Sequence, residues 1–306
     1  MTTQAIPEFM ENLAAELGKT REPTTVRQML SVLKSLNGGQ PFKNLKFLND
    51  TDTIMSVINS RALSTRGTTF CFINNVLSSQ PRSKKLRERY IALSRETWAA
   101  INSQDQHAKS KRQEDNMIPM QDVVKRRDEL RDIVTGFGDT VTKQEYDQLL
   151  SWFLVCLYTM VQPRRNQDYA LMEICQELPE VPDPNANYLV LADHAFVFQK
   201  YKTRKHYGTQ ETEIPDDLME AVTLFLKYRP TDCKSQRLIV GHDGSPLSNT
   251  NGVTRLLNRA FGQRIGATML RHIYLSDKYA QNVIDRQNDA AAMGHSVETA
   301  QGYIKI

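Results

Sequence analysis

YLVLADHAFVFQKYKTRKHYGTQETEI, residues 188–214, departs in texture from the rest of the chain. Short apolar runs alternate here with turn formers: YLVL over Tyr188–Leu191, AFVFQKY over Ala195–Tyr201, then ETEI over Glu211–Ile214. Runs of this length, rich in aromatic and branched residues and bounded by turn residues, predict strands. Three in succession predict a small antiparallel meander. On both sides of it the apolar residues recur every three or four positions, which is the helical period. The sequence therefore predicts a mainly α fold with one small antiparallel β-sheet, an α+β arrangement.

Upstream, Val26, Met29, Leu30, Leu33 and Leu36 predict a helix capped by Thr24 or Thr25 after Glu22-Pro23. A second helix is predicted over Thr68–Leu77, and a third from about Lys85 to Ile101, carrying Leu86, Tyr90, Ile91, Leu93 and Trp98. The following NSQDQHAKSKRQEDN, residues 102–116, has almost nothing to bury and reads as a connector. These boundaries predict a helical domain over 1–104, a linker over 105–117 and a second domain over 118–306. In the second domain, Met120, Val123, Val124, Leu130 and Ile133 mark a helix closed by Gly136. Thr142 and Glu145 form a capping box ahead of the apolar run Leu149–Val161. Helices return from Pro215 onward.

The chain has 306 residues, 40% of them hydrophobic and 24% charged, as in an ordinary soluble protein, and a formal net charge of +4. That balance permits a polyanionic partner without demanding one. The four cysteines form no C-x-x-C pair, so neither zinc nor redox chemistry is expected of them. The N-terminal residues lack a signal-peptide pattern. The most apolar run, Trp152–Val161, is about half of what a membrane span needs. No P-loop, metal-ligand cluster or nucleotide-binding glycine motif is present. The expectation is an intracellular, soluble protein with no membrane partner, cofactor or metal.

Four cationic or catalytic-looking elements stand out. Arg164 and Arg165 follow Pro163 at a helix break, where paired positive charge opposes the helix dipole unless it meets an anion. Lys200, Lys202, Arg204, Lys205 and His206 crowd one hairpin connection. Arg271 lies among Met269, Leu270, Ile273 and Leu275, where a buried arginine needs an anionic partner. Finally, MGHSVETAQGYIKI, residues 293–306, places Tyr303 eight positions after His295, with Gly294 stopping one helix and Ser296 capping another. Each element alone has an ordinary explanation. Arg271 can snorkel or pair with Asp277, the other cations can be solvated, and the tyrosine can be packed.

Taken in order, the four resemble the tyrosine recombinase (phage integrase) family over about Ile118 to Ile306. M-G-H-S with the tyrosine that follows is similar to that family's L-G-H-S ending. Arg165-Asn-Gln-Asp168 is similar to its R-x-x-E/D, with Tyr169 in place of leucine. Lys202-Thr203 resembles its hairpin lysine. Thr268-Met-Leu-Arg271-His272 resembles H-x-L-R-H, with Thr268 in the usual histidine position. The resemblance implies a helical core-binding domain joined to a catalytic domain, and cleavage and rejoining of double-stranded DNA through a 3′-phosphotyrosyl intermediate without ATP or metal. Tyr303 would be the nucleophile, Arg165, Arg271 and His295 would bind the phosphate, and Lys202 would protonate the leaving 5′-oxygen. A threonine hydroxyl cannot take up a proton at neutral pH, so His272 is a possible substitute for Thr268.

DNA-facing cations expected on the same basis are Arg164, Arg204 and Lys205 in the catalytic domain, Lys84, Lys85 and Arg87 in RSKKLRER, and Lys109, Lys111 and Arg112 in the connector. The family assembles as a tetramer on paired sites. A type IB topoisomerase uses a similar residue set, and a relative that binds DNA without cutting it is the other alternative. The short His-to-Tyr spacing and Thr268 suggest a divergent viral or mobile-element branch. The expected location is with DNA: a prokaryotic cytoplasm, a host nucleus or a viral factory.

Overall fold

In a computed structural model, residues 7–105, 107–230, 233, 235–247, 250–294 and 296–303 are described. The chain divides into two compact units, Met1–Ala108 and Lys109–Ile306.

The first unit is helical: α1 (Glu8–Gly18), α2 (Pro23–Leu36), a 3₁₀ turn at Lys46–Asn49, α3 (Thr51–Asn59), α4 (Leu63–Ser78) and α5 (Lys84–Asn102). The N-cap of α2 is Glu22 rather than a threonine, and Pro23 takes the first helical position. Its missing N–H costs nothing there. Val26, Met29, Leu33 and Leu36 meet Leu13, Leu48, Ile58, Phe70 and Ile73 in one core. Tyr90 is fully buried with them, and its hydroxyl donates to the Leu48 carbonyl at 2.8 Å.

The second unit begins with α6 (Lys111–Asn116), a single helical segment inside the expected connector, held by a Ser110–Gln113 capping box. It buries no residue, so hydrophobic periodicity could not announce it. Then come α7 (Met120–Thr135), α8 (Lys143–Thr159) and α9 (Asn166–Ala170). The Thr142–Glu145 box starts α8 as expected. Every residue of α8 from Leu149 to Tyr158 is buried, because α7, α11 (Asp216–Lys227), α12 (Asn251–Phe261) and α13 (Ala267–Ala292) all pack on it. A helix apolar all round is a central one. Phe153 of α8 and Phe225 of α11 stack with centroids 4.3 Å apart.

The sheet has four strands in sequential order: β1 (Met172–Cys175), β2 (Asn187–Val190), β3 (Ala195–Phe198) and β4 (Gln210–Glu213). The meander β2–β3–β4 is antiparallel, and β1 adds to it in parallel with β2. Thus the small sheet is present but mixed, with one strand more than the sequence predicted. Leu189, Phe196 and Phe198 face the main core, while Tyr188, Val190 and Val197 form a cluster on the other side. Between β3 and β4 the chain makes a one-turn helix, α10 (Arg204–Tyr207), and not a simple turn. The last element is α14 (Val297–Gln301).

Four residues, Ala267, Met269, Leu270 and Ile273, bury the start of α13. From Tyr274 to Asp289 no residue of that helix is buried. Leu275, Tyr279 and Ile284 are exposed apolar side chains there.

Candidate functional site

The two adjacent arginines after Pro163 have different fates. Arg164 is committed within the protein. Its Nε donates to Asp168 Oδ2 at 3.3 Å, its Nη1 donates to Gln210 Oε1 at 3.0 Å, and its guanidinium carbon lies 3.7 Å from the Phe198 ring centroid. The ring of Tyr201 is also within cation–π range, at 5.0 Å. Burial raises the Asp168 carboxyl above the usual carboxylate range, against the pull of the Arg164 charge. Arg164, expected among the DNA-facing cations, therefore ties α9 to the sheet and the hairpin.

Arg165 is the half-buried N-cap of α9; its guanidinium makes no ion pair or hydrogen bond with another described residue, and its charge adds only a lesser pull to that of Arg164 on Asp168. Arg271, in the second turn of α13, is likewise half-buried and unpaired among the described residues. Both arginines border one network. Tyr158 donates its hydroxyl to Asn166 Oδ1 at 2.8 Å, and Asn166 Nδ2 donates to Thr254 Oγ1 at 2.8 Å and to the Thr250 carbonyl at 3.2 Å. Asn166 directly follows Arg165. Burial drives the Tyr158 hydroxyl well above a tyrosine's ordinary range, while the nearby Arg271 charge pulls it down. Gly266, the N-cap of α13, sits against Thr254: a Cβ there would meet the threonine methyl at 3.2 Å. The network thereby joins α8, α9, α12 and the start of α13. Thr268 lies exposed in the first turn of α13, where the helix dipole favours an anion. His272 is exposed one position after Arg271.

Lys202 is exposed in the connection between β3 and β4, and Arg204 and Lys205 are exposed on α10. None of the three is paired with another described residue. The backbone just before Lys202 is fixed. Asn187, the first residue of β2, is fully buried, and its amide makes four hydrogen bonds. Tyr201 donates its hydroxyl to the Gly208 carbonyl at 2.7 Å and so closes the connection. Asn166 and Asn187 were not among the residues singled out from sequence. For Asn187 the available signal was a polar side chain at an inward position of a strand otherwise apolar on that face; Asn166, at the start of α9, had none.

Tyr303 follows α14 and is 67% exposed. Ser296 accepts the Thr299 N–H at 3.2 Å as the expected cap of α14, and Gly294 adopts φ +70° in the preceding turn. α13 spans about 30 Å from Arg271 to Ala292 at the helical rise per residue, and α14 and Tyr303 follow its far end. His295 lies outside the described residues. Lys84, Lys85 and Arg87 occupy the exposed first turn of α5. Lys109 and Arg112 are also exposed, and Lys111 makes only a solvated pair with Asp115 at 3.8 Å.

Among the described residues no group of three or more histidine, cysteine or acidic side chains could hold a metal ion, and no helix is long and apolar enough to cross a membrane. All four cysteines are free thiols. What the arrangement can do is bind an anion: two half-buried arginines that make no salt bridge with a described residue stand near the starts of α9 and α13, and an anchored hairpin presents further cations.

No protein-family model and no curated protein matches the chain. Among solved structures it is similar to the crystal structure of XerA recombinase, at 11% identity and a TM-score of 0.37, over 97% of this chain and 94% of the other. It is also similar to XerH site-specific recombinase bound to a palindromic difH substrate in a post-cleavage complex. There the identity is 15% and the TM-score 0.35, over 98% of this chain and 93% of the other.

Proposed function

We propose that this chain is a site-specific recombinase that cuts and rejoins double-stranded DNA through a 3′-phosphotyrosyl intermediate on Tyr303. One observation carries the reading: Arg165 and Arg271 are both half-buried, border the same network, and make no salt bridge with a carboxylate among the described residues. The nearby acid that Arg165 feels, Asp168, is already bound by Arg164. Taking charge out of water is costly unless a counter-charge is met, and a phosphodiester supplies one. Two guanidinium forks bind its nonbridging oxygens and gain strength as negative charge builds on the pentacoordinate phosphorus.

In the first step the Tyr303 oxygen, having lost its proton to solvent, bonds to phosphorus. The bond from phosphorus to O5′ breaks, and Lys202 gives a proton to the departing oxygen. A second DNA 5′-hydroxyl then reverses the step, so the linkage energy is kept and no ATP is consumed. Tyr303 follows the far end of α13, and in this scheme it meets the phosphate that Arg165 and Arg271 hold. His295 hydrogen-bonds the phosphate in this scheme. Arg204, Lys205, Lys84, Lys85, Arg87, Lys109, Lys111 and Arg112 grip the backbone, and strand exchange uses a tetramer on paired sites.

The test is covalent trapping. Wild type and Tyr303→Phe are incubated with nicked duplexes drawn from the flanks of the protein's own gene and then denatured. A protein–DNA adduct with wild type alone is the expected result, and exchange between two sites rather than relaxation of one duplex separates a recombinase from a topoisomerase. Absence of an adduct on every duplex that the protein binds would overturn the proposal in favour of DNA binding without cleavage.

A further inference from the structure

We infer that Asn187 is a positioning residue for Lys202, and through it for protonation of the leaving strand. The inference rests on the reading of Lys202 as the proton donor. Asn187 is 0% exposed, and its side-chain amide is satisfied to its full capacity of two donors and two acceptors. Nδ2 donates to the Asp168 carbonyl at 2.7 Å and to the Lys200 carbonyl at 3.1 Å. Oδ1 accepts the Gln199 N–H at 2.8 Å and the Lys200 N–H at 2.7 Å.

These partners come from two places that matter. Asp168 is on α9, three residues after Arg165. Lys200 ends the strand region two residues before Lys202. One buried amide therefore bolts the segment carrying an unpaired arginine to the segment carrying the exposed lysine. No hydrophobic side chain could do this, because all four partners are backbone groups that would be left unsatisfied. The next residue, Tyr201, is fixed in turn by the Arg164 guanidinium and by its bond to Gly208. The main chain thus reaches Lys202 with its direction set, and only the flexible lysine stem remains to be ordered by DNA.

A misplaced general acid slows only a reaction that needs the proton. The scissile phosphodiester is first located from the wild-type covalent adduct, and a second duplex is made with sulfur replacing the bridging 5′-oxygen at that position. The 5′-thiolate leaves without protonation: the bond from phosphorus to sulfur breaks and the sulfur keeps the electron pair. Lys202→Ala is the reference, expected to cut the oxygen duplex roughly a hundredfold or more slowly than wild type and the sulfur duplex at nearly the wild-type rate. Asn187→Ala is expected to show the same selective rescue.

Asn187→Gln keeps an amide with two donors and two acceptors but displaces it by one methylene from the Asp168 and Lys200 carbonyls and the Gln199 and Lys200 N–H groups. It serves where the alanine variant does not fold, and is expected to show the same rescue. If the Asn187 variants cut both duplexes with equal loss, or lose nothing on oxygen, Asn187 does not position Lys202. If Lys202→Ala itself is not rescued by sulfur, the reading of Lys202 falls and this inference falls with it. If no adduct forms at all, the proposed function fails first.

Discussion

The guanidinium of Arg164 lies 3.7 Å from the centroid of Phe198, while its Nε reaches the carboxylate of Asp168 at 3.3 Å. The pair is shielded, with side-chain exposures of 18% for the arginine and 4% for the aspartate. Breaking such a pair from one side strands the other charge, which costs about 3–5 kcal/mol. Arg164→Ala is therefore expected to lower the unfolding free energy of the second unit by about 3 kcal/mol, read as a drop in the urea midpoint. Arg164→Lys should recover only part of it, since lysine lacks the fork that serves Asp168 and Gln210 together. Equal midpoints for wild type and the alanine variant would refute the structural role.

Its neighbour should behave in the opposite way. Arg165 makes no salt bridge or side-chain hydrogen bond with a described residue, and its charge is only a minor influence on Asp168 beside that of Arg164, so Arg165→Ala is expected to change stability by no more than about 0.5 kcal/mol. The same variant should form little or no covalent adduct with DNA. Thermal melts and the trapping assay, run on one preparation, check both halves. A variant that melts much earlier than wild type would show that Arg165 is also structural.

That two adjacent arginines divide their work was not legible in the sequence. The motif marked Arg165-Asn-Gln-Asp168, yet the carboxylate of Asp168 pairs with Arg164, because Arg165 caps α9 while Arg164 lies one residue outside it. What was legible was local. The Thr142–Glu145 box and the run from Leu149 marked the start of α8 and its burial, since a cap and a hydrophobic period are written in consecutive residues. β1 is the contrary case: MEIC is only four residues, too short for its alternation to stand out, and its pairing with β2 is set by residues about fifteen positions later. Asn187 escaped for the same reason, as its partners sit at Asp168 and at Gln199–Lys200.

The hairpin that carries Lys202 depends on one glycine. Gly208 has φ +67° and ψ −155°, a region that side-chain-bearing residues avoid, and its carbonyl accepts the Tyr201 hydroxyl. Forcing alanine into it costs about 1–3 kcal/mol. The expected outcome for Gly208→Ala is a loosened connection, seen as faster tryptic cleavage at the exposed Arg204 and Lys205 and as a slower DNA cleavage rate. Unchanged proteolysis would mean that the hairpin holds its shape without that backbone conformation.

Alkaline pH should reveal the core of the second unit through Cys156. Burial pushes this thiol from 9.0 up to about 12, and the Tyr146 hydroxyl of the same helix rises to about 12 for the same reason. A folded pKa above the unfolded one means that the folded state holds the proton longer. The contribution is complete below pH 9 and is lost as pH climbs from there toward 12, at about 1.4 kcal/mol per pH unit for one group. Cys156→Ala lacks this dependence but keeps that of Tyr146. The stability gap between wild type and variant should therefore shrink by roughly 2 kcal/mol between pH 9 and pH 10.5, measured by urea unfolding at each pH. In parallel, a thiol reagent at pH 8 should label the exposed Cys71 in the native protein and reach Cys156 only on unfolding. A gap that stays constant with pH, together with rapid native labelling of Cys156, would mean that α8 is open to solvent rather than the central helix of its unit.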